Sequence, residues 1–194
     1  MATIGLSGGA ALRQRLEDIR AKIGAGDVLR LGFLEGSSYP DGTPTASIAA
    51  LQEFGGTVDV PASQTTIYRK VDASGDFMHS GRFVKQRLSN FATTHDVPAH
   101  TITIPPRPFF RHMIADKSPG WGARMAKIIK AADYDAARAL GQMGEGIQGQ
   151  LQQAIRDFDE VPLAPSTIAK KGNDKQLVDT GHMLNSVAYE VATP

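Results

Sequence analysis

The sequence predicts an α+β fold, with helices packed on a largely antiparallel sheet and a hairpin-rich β segment or arm. Three observations predict it. Two stretches repeat apolar residues at helical spacing. The centre of the chain is instead rich in β-branched residues between turn signals. The order is helix, strand, helix, several strands, long helices, strand, without the regular strand–helix alternation of a parallel α/β sheet. The 194 residues, 41% of them hydrophobic, are enough for one domain with its own core. The expected organisation is therefore a single domain over 1–194, with a β-hairpin arm or insertion within 57–103.

Each element has its own signal. Leu12, Leu16, Ile19 and Ile23 form one helical stripe, stopped by Gly24 and Gly26. Val28 to Glu35 reads as a strand. "SSYPDGTP" (Ser37 to Pro44) has turn composition. Thr45 to Phe54 reads as a short helix, ended by Gly55-Gly56, the residues best able to adopt a left-handed cap. "TTIYRKV", "GRFVK", "NFATTH" and "HTITI" carry the β-prone residues between Thr65 and Ile104. After "IPPRPFFR" the pattern turns helical, with Phe109, Phe110, Met113 and Ile114 expected on one face. "KSPGWG" predicts a break, and Trp121 to Ala132 resumes the helix. Leu140, Met143, Ile147, Leu151 and Ile155 form the clearest stripe, continued by Phe158. Gly141, Gly144, Gly146 and Gly149 inside it predict close packing or a bend, since glycine costs a helix about 1 kcal/mol. A loop from Asp159 to Gln176, a helical turn begun at Asp179 or Thr180, and a strand near Val187 to Val191 complete the chain.

Composition excludes several chemistries. With no cysteine, the chain has no disulfide, thiolate zinc site or cysteine nucleophile. The net charge of +1 favours neither nucleic acid nor an acidic partner in bulk. The opening residues Met1 to Gly5 lack the pattern of a secretion signal, and no run approaches the ~20 apolar residues of a membrane helix. A soluble protein is expected, with no membrane partner. Charge is nonetheless uneven. Residues 104–130 carry net +5 and residues 131–160 net −4. Such a split suits solvated faces, or head-to-tail contact between copies of the chain.

No motif assembles a catalytic or metal site. The histidines are His79, His95, His100, His112 and His182, without metal-ligand spacing. His95 and His100, five apart, are expected on opposite faces of a β segment. "GLSGGA" (Gly5 to Ala10) lacks the preceding strand and the lysine of a phosphate loop. Asp179-Thr180-Gly181 is a lone aspartic-protease-like triplet, whereas that chemistry needs two carboxylates. Asp179 is expected instead to cap the turn Gly181 to Val187. In "IPPRPFFR" the prolines end a strand at Ile104, and Pro108 suits a first helical turn. Phe109 and Phe110 are expected to plant that helix in the core. Arg107 and Arg111, four apart, are expected to share an exposed edge able to meet a carboxylate.

The segments "YPDGTPTASIAALQEFG" (Tyr39 to Gly55), "GRFVK…NFATTH" (Gly81 to His95), "ITIPPRPFFR" (Ile102 to Arg111), "LAPSTIAKKG" (Leu163 to Gly172) and "LVDTGHMLNSV" (Leu177 to Val187) occur in this order. Together they resemble the neck and tail-completion proteins of tailed double-stranded DNA phages and their prophages, the group that includes lambda's minor tail protein Z. The resemblance covers roughly residues 28–190. It implies a structural virion protein at the head–tail junction, without catalytic residues, metal or cofactor. It also implies a homo-oligomeric ring, six-fold, between head-completion or connector proteins and the tail tube. Phage DNA would pass through its lumen without sequence-specific binding. Assembly would occur in the host cytoplasm. A morphogenesis chaperone that leaves the particle, a tail-associated hydrolase, and direct DNA binding through the basic 104–130 segment are the alternatives.

Overall fold

The computed structural model describes residues 9–23 and 26–192, and the fold is α+β. Of "GLSGGA", residues 5–8 lie outside the described residues, as does the expected stop at Gly24. By contact density the chain forms two compact units, Met1–Gly55 with Pro105–Pro194, and Gly56–Ile104.

In the first unit, α1 (Gly9–Ile23) precedes β1 (Val28–Gly32) and α2 (Thr45–Phe54). β1 stops at Gly32, three residues before the expected end, where φ is +144°. α2 has the bounds its flanking Pro44 and Gly55 predict, and Gly55 sits at φ +71°. α3 (Phe109–Ala131) and α4 (Ala136–Asp157) form an antiparallel pair, joined by a turn in which Asp133 and Tyr134 both take positive φ. Then come α5 (Pro165–Lys171), α6 (His182–Asn185) and β6 (Ala188–Ala192). β6 returns antiparallel to β1, pairing Val28 with Ala192 and Gly32 with Ala188.

The core is built on α4. Met143, Ile147, Leu151 and Ile155 are buried as their spacing predicts, with Phe158 closing the stripe. Phe109 and Met113 meet them from α3, and Leu177, Met183 and Val187 from the C-terminal segment. Phe110 is half-buried and packs against this core, while Ile114 is exposed, so of the four residues expected on one face only Ile114 departs. The expected break at "KSPGWG" does not occur, and α3 runs through Pro119. Pro119 and Gly120 are exposed, while Trp121, Met125 and Ile128 continue the packing begun by Met113. Tertiary contacts on both sides outweigh the ~3 kcal/mol a mid-helix proline costs.

The α4 glycines differ in role. A Cβ at Gly144 would lie 2.4 Å from the Tyr189 ring and 2.9 Å from Leu29, so this glycine lets the helix lie on the β1–β6 ribbon. At Gly146 a Cβ would meet the Arg124 guanidinium at 2.4 Å. Gly141 and Gly149 face open space. Close packing thus explains Gly144, whereas the exposed Arg124 side chain over Gly146 is flexible and can swing aside.

The second unit holds β2 (Gly56–Val60), β3 (Ser63–Arg69), β4 (Phe91–Val97) and β5 (His100–Ile104). β2 pairs with β5 and β3 with β4, both antiparallel. The register runs on across the gap, from Val60↔His100 to Ser63↔Val97. The ladder is interrupted where Pro61-Ala62 opposes Pro98-Ala99, since proline lacks the N–H a ladder needs. The strand content is therefore divided among two-stranded ribbons. "GRFVK" forms no strand. It follows a short 3-10 turn, Met78–Gly81, and a second spans Gln86–Leu88. At this end the Arg69 guanidinium lies 5.2 Å from the Phe77 ring and 5.3 Å from Phe83.

Candidate functional site

The strand-to-helix joint in "IPPRPFFR" is locked from α2. Prolines 105, 106 and 108 carry the chain from β5 to α3 without offering N–H groups, and Pro108 sits at the N-cap position. Pro108 gives α3 no side-chain cap. The cap comes from Glu53, 57 residues earlier. Its Oε2 accepts the Phe110 N–H at 2.9 Å, and its Oε1 accepts the Arg111 N–H at 3.1 Å. A carboxylate there satisfies orphan helix donors and meets the positive end of the helix dipole. Arg111 completes the lock. Its Nε donates to Glu53 Oε1 at 2.8 Å, its Nη2 to the Glu53 carbonyl at 3.1 Å, and its guanidinium lies 5.1 Å from the Phe54 ring. The Glu53 side chain is only 5% exposed.

This corrects half of the expected charged rim. Arg111 is exposed and meets a carboxylate, as expected, and that carboxylate is the buried Glu53 of its own chain. Arg107 is not on the rim at all, being 8% exposed. It precedes α3, so it has no helical edge to share with Arg111. Its N–H donates to the Gln52 carbonyl and its Nη1 to Gln52 Oε1, both at 2.7 Å. Burial pulls the Arg107 guanidinium below its ordinary pKa. Phe109, at 1% exposure, anchors the helix as expected.

One further motif segment, Leu177 to Val187, meets the start of the segment that carries α2. The turn before α2 is closed by Tyr39 N–H to the Thr43 carbonyl and Thr43 N–H to Asp41 Oδ1, each 2.9 Å. The hydrogen bond from Thr43 holds the Asp41 carboxyl below its usual range. Tyr39 from this turn lies 4.4 Å from the His182 ring in α6. Burial, then the Asp179 charge, pushes the Tyr39 phenol up.

The Asp179 cap is not formed. α6 begins at His182, its N-cap is Gly181 at φ +80°, and no side chain caps it in the usual geometry. Thr180 Oγ1 accepts the His182 N–H at 3.4 Å. The left-handed turn at Gly181 moves the helix start downstream, which leaves Asp179 exposed and out of reach of the first turn. His95 and His100 lie on different strands, bonded to Thr93 Oγ1 and the Pro98 carbonyl. The side chains of His79, and of Ser166, Ala169 and Lys170 in "LAPSTIAKKG", lie outside the described residues.

Glu53 and Gln52 are the residues sequence reasoning missed. A signal existed in the acid placed in α2's last turn, where the helix dipole disfavours it. Among the described residues no cluster of three or more metal-ligating side chains occurs, and no helix is long and apolar enough to cross a membrane. Compared with known protein families, curated proteins and solved structures, the chain matches none.

Proposed function

We propose that this chain is a structural protein of the neck or tail top of a tailed double-stranded DNA phage. In this reading it acts as one subunit of a homo-oligomeric, six-fold ring, without catalysis. Its neighbours would be head-completion or connector proteins on one side and the tail tube on the other. The observation that carries the reading is the ordered motif set. It is supported by the way three of those motifs, Tyr39–Gly55, Ile102–Arg111 and Leu177–Val187, interlock through Glu53, Arg107 and the Tyr39–His182 pair. In this lock Glu53 and Arg107 spend their polar groups on partners within the chain, as residues of a scaffold do. DNA in the lumen would be met without sequence reading. Arg124, Lys127 and Lys130 on α3 are exposed and pair with no carboxylate among the described residues, which suits weak, salt-sensitive contact.

The test is the composition of purified particles. A ring subunit is present at a fixed, multiple copy number per particle and localises to the neck. A chaperone is abundant in assembling lysates and missing from particles. A hydrolase degrades cell wall or peptide as the pure protein and loses that activity with one substitution. Either of the last two results replaces the ring.

A further inference from the structure

We infer that α1 of one copy docks in the α3–α4 groove of the next, giving a head-to-tail contact between chains. The inference rests on the ring reading and names the surfaces that would build it. The first surface is α1. Leu12, Leu16 and Ile23 are 62%, 56% and 48% exposed, and α1 buries none of its residues. Two basic edges flank this stripe. On one edge, Arg15 and Lys22 hold Asp133 of their own chain, at 2.5 and 2.7 Å. On the other, Arg13 and Arg20 are seven apart, so they share an edge, and both pair with no carboxylate among the described residues.

The second surface is an open groove of about 540 Å³ between α3 and α4, with a floor of Phe109, Met113 and Phe158. That volume falls within the range of ordinary binding pockets. Its rim carries Asp116, Asp157, Asp159 and Glu160, all exposed; Lys117 lies 2.7 Å from Asp116 and His112 2.9 Å from Glu160, so Asp157 and Asp159 are the rim carboxylates without a basic partner among the described residues. An apolar floor with an acidic rim fits an amphipathic helix with a free basic edge, the helix-in-groove mode of recognition. The exposed lysines of α3 match the charge of the rim but bring no apolar stripe for the floor.

Position favours a neighbouring chain as the source of the helix. α1 is tied at Asp133, beyond the C-terminal end of α3, while the groove lies along the N-terminal half of α3. Met113 and Ala131 are 18 residues apart on α3, about 27 Å at 1.5 Å per residue. Donor and acceptor thus sit at opposite ends of one helical pair. Two different patches meeting head to tail make a heterologous contact, which closes into a ring when the rotation allows.

The full chain has no cysteine, which permits a clean test. Leu16→Cys and Gly149→Cys are made in separate chains. Both positions are open, since Leu16 is exposed and a Cβ at Gly149 meets nothing within 4 Å. Disulfide-linked dimers are expected when the two are mixed, well above either alone. In a cysteine-free background, Leu16→Asp should weaken self-association about tenfold or more, the loss of one buried leucine. Gly149→Phe should fill the groove and do the same. Mixing these last two should restore a single contact and stop at the dimer. No excess cross-linking on mixing overturns the inference. So does a wild-type chain that stays monomeric while α1 binds anionic lipid vesicles. A chain that associates this way but is missing from particles refutes the neck reading and leaves the contact standing. A particle-bound chain without the cross-link does the reverse.

Discussion

At the residue scale, Glu53 is the most consequential side chain. It is buried, it caps α3, and it holds Arg111. Deleting Glu53 removes both the cap on α3 and the charged hydrogen bond to Arg111, together about 2–5 kcal/mol. Glu53→Ala should therefore cost about that much in denaturant unfolding. Arg111→Ala should cost less, about 1.5–3 kcal/mol, because Glu53 keeps two backbone donors and Arg111 is half-exposed. Equal losses would mean that the pair, and not the cap, carries the energy. The triplet Asp179-Thr180-Gly181 behaves differently from a capping sequence. Asp179→Ala should be within about 0.5 kcal/mol of wild type, as for other exposed sites. Gly181→Ala should cost about 1–2 kcal/mol, the strain of a left-handed alanine. A larger loss at Asp179 than at Gly181 would restore the cap.

At the element scale, legibility followed locality. α2 was readable because Pro44 and Gly55 bound it, and α4 because its stripe is buried on one side along its length. The break in α3 was misread because Pro119 faces solvent, where flanking packing can outweigh it. β2 escaped because a strand opening at Gly56 beside the cap Gly55 looks like loop. The joint at Pro105 to Pro108 was visible, but the interior position of Arg107 depends on Gln52, 55 residues away, and no local pattern encodes that. Packing of α4 on the β1–β6 ribbon should be sensitive to one methyl. Gly144→Ala must displace Tyr189 and Leu29, and overpacking of this kind costs about 1–3 kcal/mol, read as a lowered melting temperature. Gly149→Ala, in open space, should be neutral or stabilising. The tether of α1 should fail in acid. Hydrogen bonds from Lys22 and then Arg15 hold the Asp133 carboxyl below its usual range. Its contribution is therefore complete above the ordinary carboxylate range and lost as pH falls through the lowered value. Relative to the intrinsic rate at each pH, amide exchange in residues 9–23 should quicken in acid more than in α4. Asp133→Asn should show the fast exchange already at neutral pH.

At the scale of the whole molecule, a rigid α3–α4 core carries an uncovered helix at one end and an acidic, apolar-floored groove at the other. Under the proposed head-to-tail contact, these are the two surfaces that one copy would bury against the next. The ring proposal makes the chain a joint between two preformed structures, and joining is what should be measured. In a phage lacking only this chain, filled heads and complete tails should accumulate separately, and added pure protein should convert them to joined, infectious particles. Joined and infectious particles formed without the chain would contradict the account.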